Sequence, residues 1–186
     1  MNDETPARSM LEIRDLHAWY GESHILHGID LDVKAGECIT LLGRNGAGRS
    51  STLKSVLGLV GRRSGSIKVQ GQETIGLPPH KIARQGIGYC PEERGIYASL
   101  TAEENLMLLL NEITEGLAPV IVQALGRVIR QLQERGYTTV LVEQNFRFAR
   151  HLADRHYVIE HGQVAAVIER AEVERSQDRL NALLGI

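Results

Sequence analysis

A short apolar run, Cys38-Ile39-Thr40-Leu41-Leu42, leads directly into Gly43-Arg44-Asn45-Gly46-Ala47-Gly48-Arg49-Ser50-Ser51. A helical pattern follows, expected from Ser50 to Leu59, with Leu53, Val56 and Leu57 on one face. The spacing is Gly, four residues, Gly, a cation and Ser, which is that of a phosphate-binding loop except that Arg49 stands where Lys is usual. Buried strand, glycine-rich loop and helix start in that order point successive backbone N–H groups at an anion. The helix dipole adds to the attraction. The chain is therefore expected to hold a nucleoside polyphosphate.

The 186 residues suit one domain able to bury roughly 70% of its unfolded surface. Apolar residues at 42% and charged residues at 24% are the balance of an ordinary globule. A net charge of −2 offers no attraction for nucleic acid or an anionic membrane surface. No apolar run approaches the length of a bilayer span, and Met1 to Ser9 has no hydrophobic signal core. Cys38 and Cys90 fall in apolar strand-like runs and read as buried, reduced thiols. Together these features imply a cytoplasmic protein, with residues 1 to 10 expected to be flexible.

Leu11 to Tyr20 and Leu26 to Val33 alternate apolar and polar residues about Gly21-Glu22-Ser23, as antiparallel strands do. Ser66 to Val69 reads as a strand, Pro78 to Gln85 as a short helix, and Gly88 to Cys90 as a strand end. Thr101-x-x-Glu104 fits a capping box, yet Leu106 to Leu110 with Asn111-Glu112 fits a buried strand ending in acidic chemistry; the strand is favoured. A long helical pattern from Leu117 to Leu132 closes at Gly136. Thr139 to Val142 is a buried-strand run, followed by a helix from Phe146 to Asp154. A hairpin about His161-Gly162 and a helix from Ala171 to Leu184 complete the chain. The expected class is α/β, a phosphate-binding-loop core with a mostly parallel, helix-covered sheet made mixed by an N-terminal antiparallel β subdomain.

Tyr20-Gly21, the loop itself, Glu115-Gly116-Leu117-Ala118-Pro119 and Val142-Glu143-Gln144-Asn145 resemble the ATP-binding subunit of ABC transporters. Within that superfamily the chain looks most like the subunits that energise branched-chain amino acid import, from Leu11 to Ile186. The resemblance implies ATP as ligand with Mg²⁺, a second ATP-binding subunit and membrane-spanning permease subunits as partners, and no nucleic acid. It implies that Tyr20 stacks on adenine and that Gly43, Asn45, Gly46, Ala47, Gly48, Arg49, Ser50 and Ser51 hold the phosphates. Ser50, Asn111 and Glu92 would face the metal, Glu112 would be the general base, and Gln144 would occupy the place of the family's switch histidine.

The departures from that pattern carry the chemistry. Arg49 keeps the charge of the expected Lys but is planar and fork-shaped, and a misplacement of about 1 Å can cost about a hundredfold in rate. Asn111 replaces the metal-facing Asp of an Asp-Glu pair and loses its negative charge. Ile113 stands where Pro is expected, and Glu92 where a Gln is expected. Gln144 can hydrogen-bond a phosphate but carries no proton charge. His17 and His24, which flank Tyr20, read as surface or packing residues.

Between Ser50 and Glu112 the family carries a helical subdomain ending in a Leu-Ser-Gly-Gly-Gln type sequence. No Ser-Gly-Gly occurs in this chain, which runs from Leu100-Thr101-Ala102-Glu103-Glu104-Asn105 almost directly into Leu106-Met107-Leu108. The 186 residues therefore read as a single truncated nucleotide-binding domain lacking that subdomain near residues 100 to 106. Nucleotide binding with weak or absent hydrolysis is the expectation. A degenerate copy without transport role is one alternative, expected to leave apolar surface uncovered. A small phosphotransferase is another, in which Arg62 and Arg63 would close over phosphates, although Ser64-Gly65 reads as an ordinary turn.

Overall fold

The computed structural model describes residues 8–90, 107–114 and 116–185. Strands β1 (Ser9–Tyr20) and β2 (Ser23–Lys34) form an antiparallel hairpin with Tyr20 opposite Ser23. Their apolar residues alternate inward, with Leu11, Ile13, Leu16 and Ala18 buried on β1 and Leu31 and Val33 on β2. β1 begins at Ser9, inside the stretch expected to be flexible, and Met10 is already part of the core.

Strand β3 (Cys38–Leu42) is buried along its whole length, and α1 (Arg49–Val56) follows the glycine-rich loop. The helix caps at Leu57, short of the expected Leu59. Next come β4 (Arg62–Val69), β5 (Gln72–Glu73), α2 (Pro79–Ala83) and β6 (Ile87–Cys90). β4 starts four residues before the expected strand, because Arg62 to Ser66 pair with β1; Ser64-Gly65 lies within it and is not a turn. Strand β7 (Met107–Asn111), α3 (Pro119–Glu134), β8 (Thr138–Val142) and α4 (Phe146–Ala149) form the next stretch. The favoured strand reading is borne out over Met107–Asn111, whereas Thr101 to Glu104 lies outside the described residues.

Helix α4 ends at Ala149 rather than Asp154, since Leu152 and Ala153 both donate back to the Ala149 carbonyl in a tightened turn. The chain finishes with β9 (Arg155–Glu160), β10 (Gln163–Glu169), a 3₁₀ turn at Arg170–Glu172 and α5 (Gln177–Leu184). The single terminal helix expected from Ala171 is thus two pieces.

The strands form two separate sheets. One is antiparallel, ordered β2-β1-β4-β5. The other is ordered β10-β9-β3-β8-β7-β6, with β9, β3, β8, β7 and β6 parallel and β10 antiparallel at its edge. The large sheet is mixed through its C-terminal hairpin; the N-terminal strands build a sheet of their own. The main core lies between the two sheets, where Leu26, Ile29 and Ile67 meet Ile39, Leu41, Val140 and Val142. Residues of β3 and β8 are buried on both faces, which is why these strands read as unbroken apolar runs rather than alternations. Cys38 is buried, Cys90 is half-buried, and both are free thiols.

Candidate nucleotide site

The parallel strands β3, β8 and β7 end on one edge of the sheet, where an open α/β fold gathers its loops. The loop from Gly43 to Gly48 leaves β3 there and turns up into α1. Within it Ala47 N–H donates to the Arg44 carbonyl at 3.0 Å, and Thr52 N–H donates to the Gly48 carbonyl at 2.9 Å. The helical ladder thus begins at Thr52, and the amides of the first turn stand ahead of it. They border a cavity of about 410 Å³ lined by Tyr20, Ile25, residues 45–51, Glu112 and Gln144. Tyr20, 46% exposed, stands at its rim.

Two glycines make this packing possible. At Gly43 (φ +151°) a Cβ would overlap the Ile159 carbonyl oxygen. At Gly162 (φ +74°) it would overlap the carbonyl of Ile25. Gly162 N–H donates to Ala47 O at 2.9 Å, and Gly162 O accepts from His27 N–H at 2.8 Å. The β9–β10 turn therefore braces the phosphate loop against the antiparallel sheet.

The charged groups meet one another inside the cavity. Arg49 is 4% exposed, and its Nη2 lies 3.0 Å from Oε1 of Glu112, which is 9% exposed. The same nitrogen donates to Asn45 Oδ1 at 3.3 Å. Gln144 Nε2 donates to the other carboxylate oxygen, Oε2 of Glu112, at 3.1 Å. The Glu112 carboxylate is thus held at both oxygens. Its backbone has φ +48°, left-handed for a non-glycine residue, a conformation costing about 1–3 kcal/mol unless its surroundings enforce it. Here Glu112 N–H donates to Val142 O at 2.7 Å. Next to it, buried Glu143 accepts from Thr114 N–H at 3.1 Å and from the Thr114 hydroxyl at 2.8 Å. Burial pushes the Glu143 carboxyl up from its ordinary range, against these hydrogen bonds, which lower it.

Ser50 Oγ donates to Asn111 Oδ1 at 3.2 Å, and Asn111 is 1% exposed. The donors brought together at the expected metal position are thus a hydroxyl and a carboxamide, both neutral. Glu92 lies outside the described residues. Among the described residues no group of three or more His, Cys, Asp or Glu side chains could hold a metal ion. Magnesium is ordinarily held through one or two carboxylates together with substrate phosphates. Among the described residues this donor set, with Glu112 already paired to Arg49, does not fit a divalent cation held by the protein.

The ABC transporter family model matches residues 26–181, most of the chain. The chain belongs to the ABC transporter ATP-binding family. It is 33% identical to the high-affinity branched-chain amino acid transport ATP-binding protein BraG of Pseudomonas aeruginosa, over 83% of this chain and 91% of that protein. It is 28% identical to the probable branched-chain amino acid transport ATP-binding protein LivF of Archaeoglobus fulgidus, over 84% of this chain and 90% of that one. The fold superposes on the ATP-binding subunit of an ABC transporter with a TM-score of 0.79 at 21% identity, covering 95% of this chain and all of the other. A nucleotide-free ATP-binding cassette gives 0.81 at 15% identity, covering 96% and 99%. The alignment to BraG runs over 211 positions yet takes in only 83% of these 186 residues, so more than fifty positions of the relative face a gap here.

The structure brings together Tyr20, the loop residues, Asn111, Glu112 and Gln144 at one edge. It also adds three residues. Ile25 lines the cavity, Glu143 holds the segment carrying Glu112, and Gly162 braces the loop. The Val142-Glu143-Gln144-Asn145 stretch marked Glu143 without assigning it a task. Gly162 was visible only as a turn residue. The two arginines considered for a phosphate-closing lid are engaged elsewhere. Arg62 lies over the Trp19 ring at 4.7 Å, and Arg63 donates to the carbonyls of Val60 and Leu77.

Proposed function

We propose that this ATP-binding family member is allied to branched-chain amino acid import and holds ATP while hydrolysing it weakly or not at all. The observation that carries this reading is the joint arrangement at the cavity. The phosphate loop is built and braced, but Arg49 is bound to Glu112 and the metal-facing position is the neutral Asn111. Backbone amides supply the grip on phosphate, and Tyr20 supplies the surface for adenine. Glu112, the position from which a general base would act, spends both carboxylate oxygens on Arg49 and Gln144. The gap against BraG supports the loss of the helical subdomain, and with it the clamp that a partner subunit's ATP would meet.

A second ATP-binding subunit and membrane-spanning permease subunits are the partners this reading implies, with the chain at the cytoplasmic face. No helix among the described residues is long and apolar enough to cross a membrane. The test is calorimetric titration of ATP into the purified chain, with phosphate release measured alone and beside an intact paralogue. Binding in the micromolar to millimolar range with turnover near background supports the proposal. A folded protein that binds no ATP refutes it.

One observation favours the second reading, a degenerate copy without a transport role. Val120, Ile121 and Val128 lie exposed on α3. They fall at positions that share one face of the helix. A soluble protein with a single cooperative melt argues against that reading; aggregation on purification argues for it.

A further inference from the structure

We infer that Arg49 and Glu112 form a charge latch in the nucleotide cavity, and that Arg49, released to phosphate, takes the place of a divalent cation, so that nucleotide binds without metal. The inference rests on the nucleotide-binding reading above and goes beyond it. Three observations converge. Arg49 and Glu112 are both buried and 3.0 Å apart, in a cavity also lined by the phosphate-loop residues. Among the described residues, the hydroxyl and carboxamide that would face a cation, Ser50 and Asn111, are neutral and spend a hydrogen bond on each other. Gln144 already donates to the second oxygen of Glu112, so this carboxylate keeps a partner when Arg49 leaves.

A triphosphate entering the cavity presents a denser negative charge than a single carboxylate, and a guanidinium pairs with phosphate through two parallel N–H donors. Exchange of Glu112 for phosphate therefore keeps Arg49 paired throughout and leaves no buried cation uncompensated. With Asp in place of Asn111, a carboxylate would stand beside the incoming phosphates and a cation would be needed between them. With Asn111 that repulsion comes from Glu112 alone, whose carboxylate keeps the Gln144 hydrogen bond. The ligand is accordingly the bare nucleotide polyphosphate, with Arg49 as its counter-cation. Glu112 competes for that cation and sets the affinity.

The experiment is calorimetric titration of ATP into the full chain, once in excess EDTA and once in saturating Mg²⁺. The wild-type affinity is expected to agree within about threefold between the two conditions. Asn111→Asp should bind at least tenfold more weakly in EDTA than in Mg²⁺. Arg49→Met should lose at least tenfold in EDTA, and Glu112→Gln should bind more tightly there than wild type. A wild-type affinity that drops tenfold or more in EDTA overturns the inference while leaving nucleotide binding intact. Unchanged EDTA affinity in a folded Arg49→Met protein, shown by its thermal melt, overturns it as well. No binding in either condition overturns the nucleotide reading and this inference with it. The wild-type comparison needs no variant to fold.

Discussion

Replacing either partner of the Arg49–Glu112 pair should destabilise the fold far more than replacing both. The pair is separated by 3.0 Å with 4% and 9% of the side chains exposed. At an effective dielectric near 20, unit charges at that distance attract by about 5–6 kcal/mol, most of it offset by the cost of taking both ions out of water. Removing one partner keeps the desolvation cost and discards the attraction, a loss of about 3–5 kcal/mol. In a chain of this size each kcal/mol shifts the melting temperature by about 2–4 °C. Arg49→Met and Glu112→Gln should therefore each lower Tm by roughly 6–20 °C. The double variant, with no charge left to strand, should melt within about 5 °C of wild type. The assay is a reversible thermal melt of the four proteins in nucleotide-free buffer, closed as a double-mutant cycle. Single variants that each cost under about 1 kcal/mol, or a double variant equal to the sum of the two, would refute the reasoning.

Other expectations concern the core, the loop and the rim. His156 is fully buried with Nδ1 2.7 Å from Thr40 Oγ1, and burial pushes its pKa down to about 4. The folded state therefore binds fewer protons than the unfolded one. Stability from this group is full above about pH 6.5 and is lost as pH falls toward 4, on the order of 3 kcal/mol. Denaturant titrations of wild type and His156→Gln across that range should show the slope flattened in the variant. Gly162→Ala would drive a Cβ into the Ile25 carbonyl, so it should unfold at lower denaturant by at least about 2 kcal/mol and weaken ATP binding by displacing the Ala47 segment. Tyr20→Ala should weaken ATP binding about two- to tenfold, the value of one lost aromatic stack, with stability little changed because the ring is already half in solvent. An unchanged affinity in a Tyr20→Ala titration would remove adenine stacking from the account.

Local features made much of this fold legible. The fully buried β3 and β8 are unbroken apolar runs, the β1–β2 hairpin alternates, and Gly136 ends the α3 pattern, so the periodicity of each element matched its surroundings. The ends of α1 and α4 were overrun because apolar periodicity continues after the backbone has turned, and only tertiary contacts stop it. The extra residues of β4 were hidden because Arg62 to Ser66 carry no alternation; their pairing with β1 holds them extended. At the site, the resemblance marked two departures from the family pattern, Arg49 for Lys and Asn111 for Asp. It did not disclose that Arg49 and Glu112, distant in the chain, would bind each other. Nor did it show that Gly162 would bridge the loop and β2. Both depend on which strands lie side by side, and no local signal encodes that.

The central claim is that main-chain amides at the start of α1 grip phosphate. Amide chemical shifts of Gly46, Gly48, Ser50 and Ser51, followed by nuclear magnetic resonance as ATP is added, test it most directly. Large saturable shifts at these amides, absent with adenosine, are the predicted result. Amides that stay unmoved while ATP binds elsewhere, or does not bind at all, would contradict it.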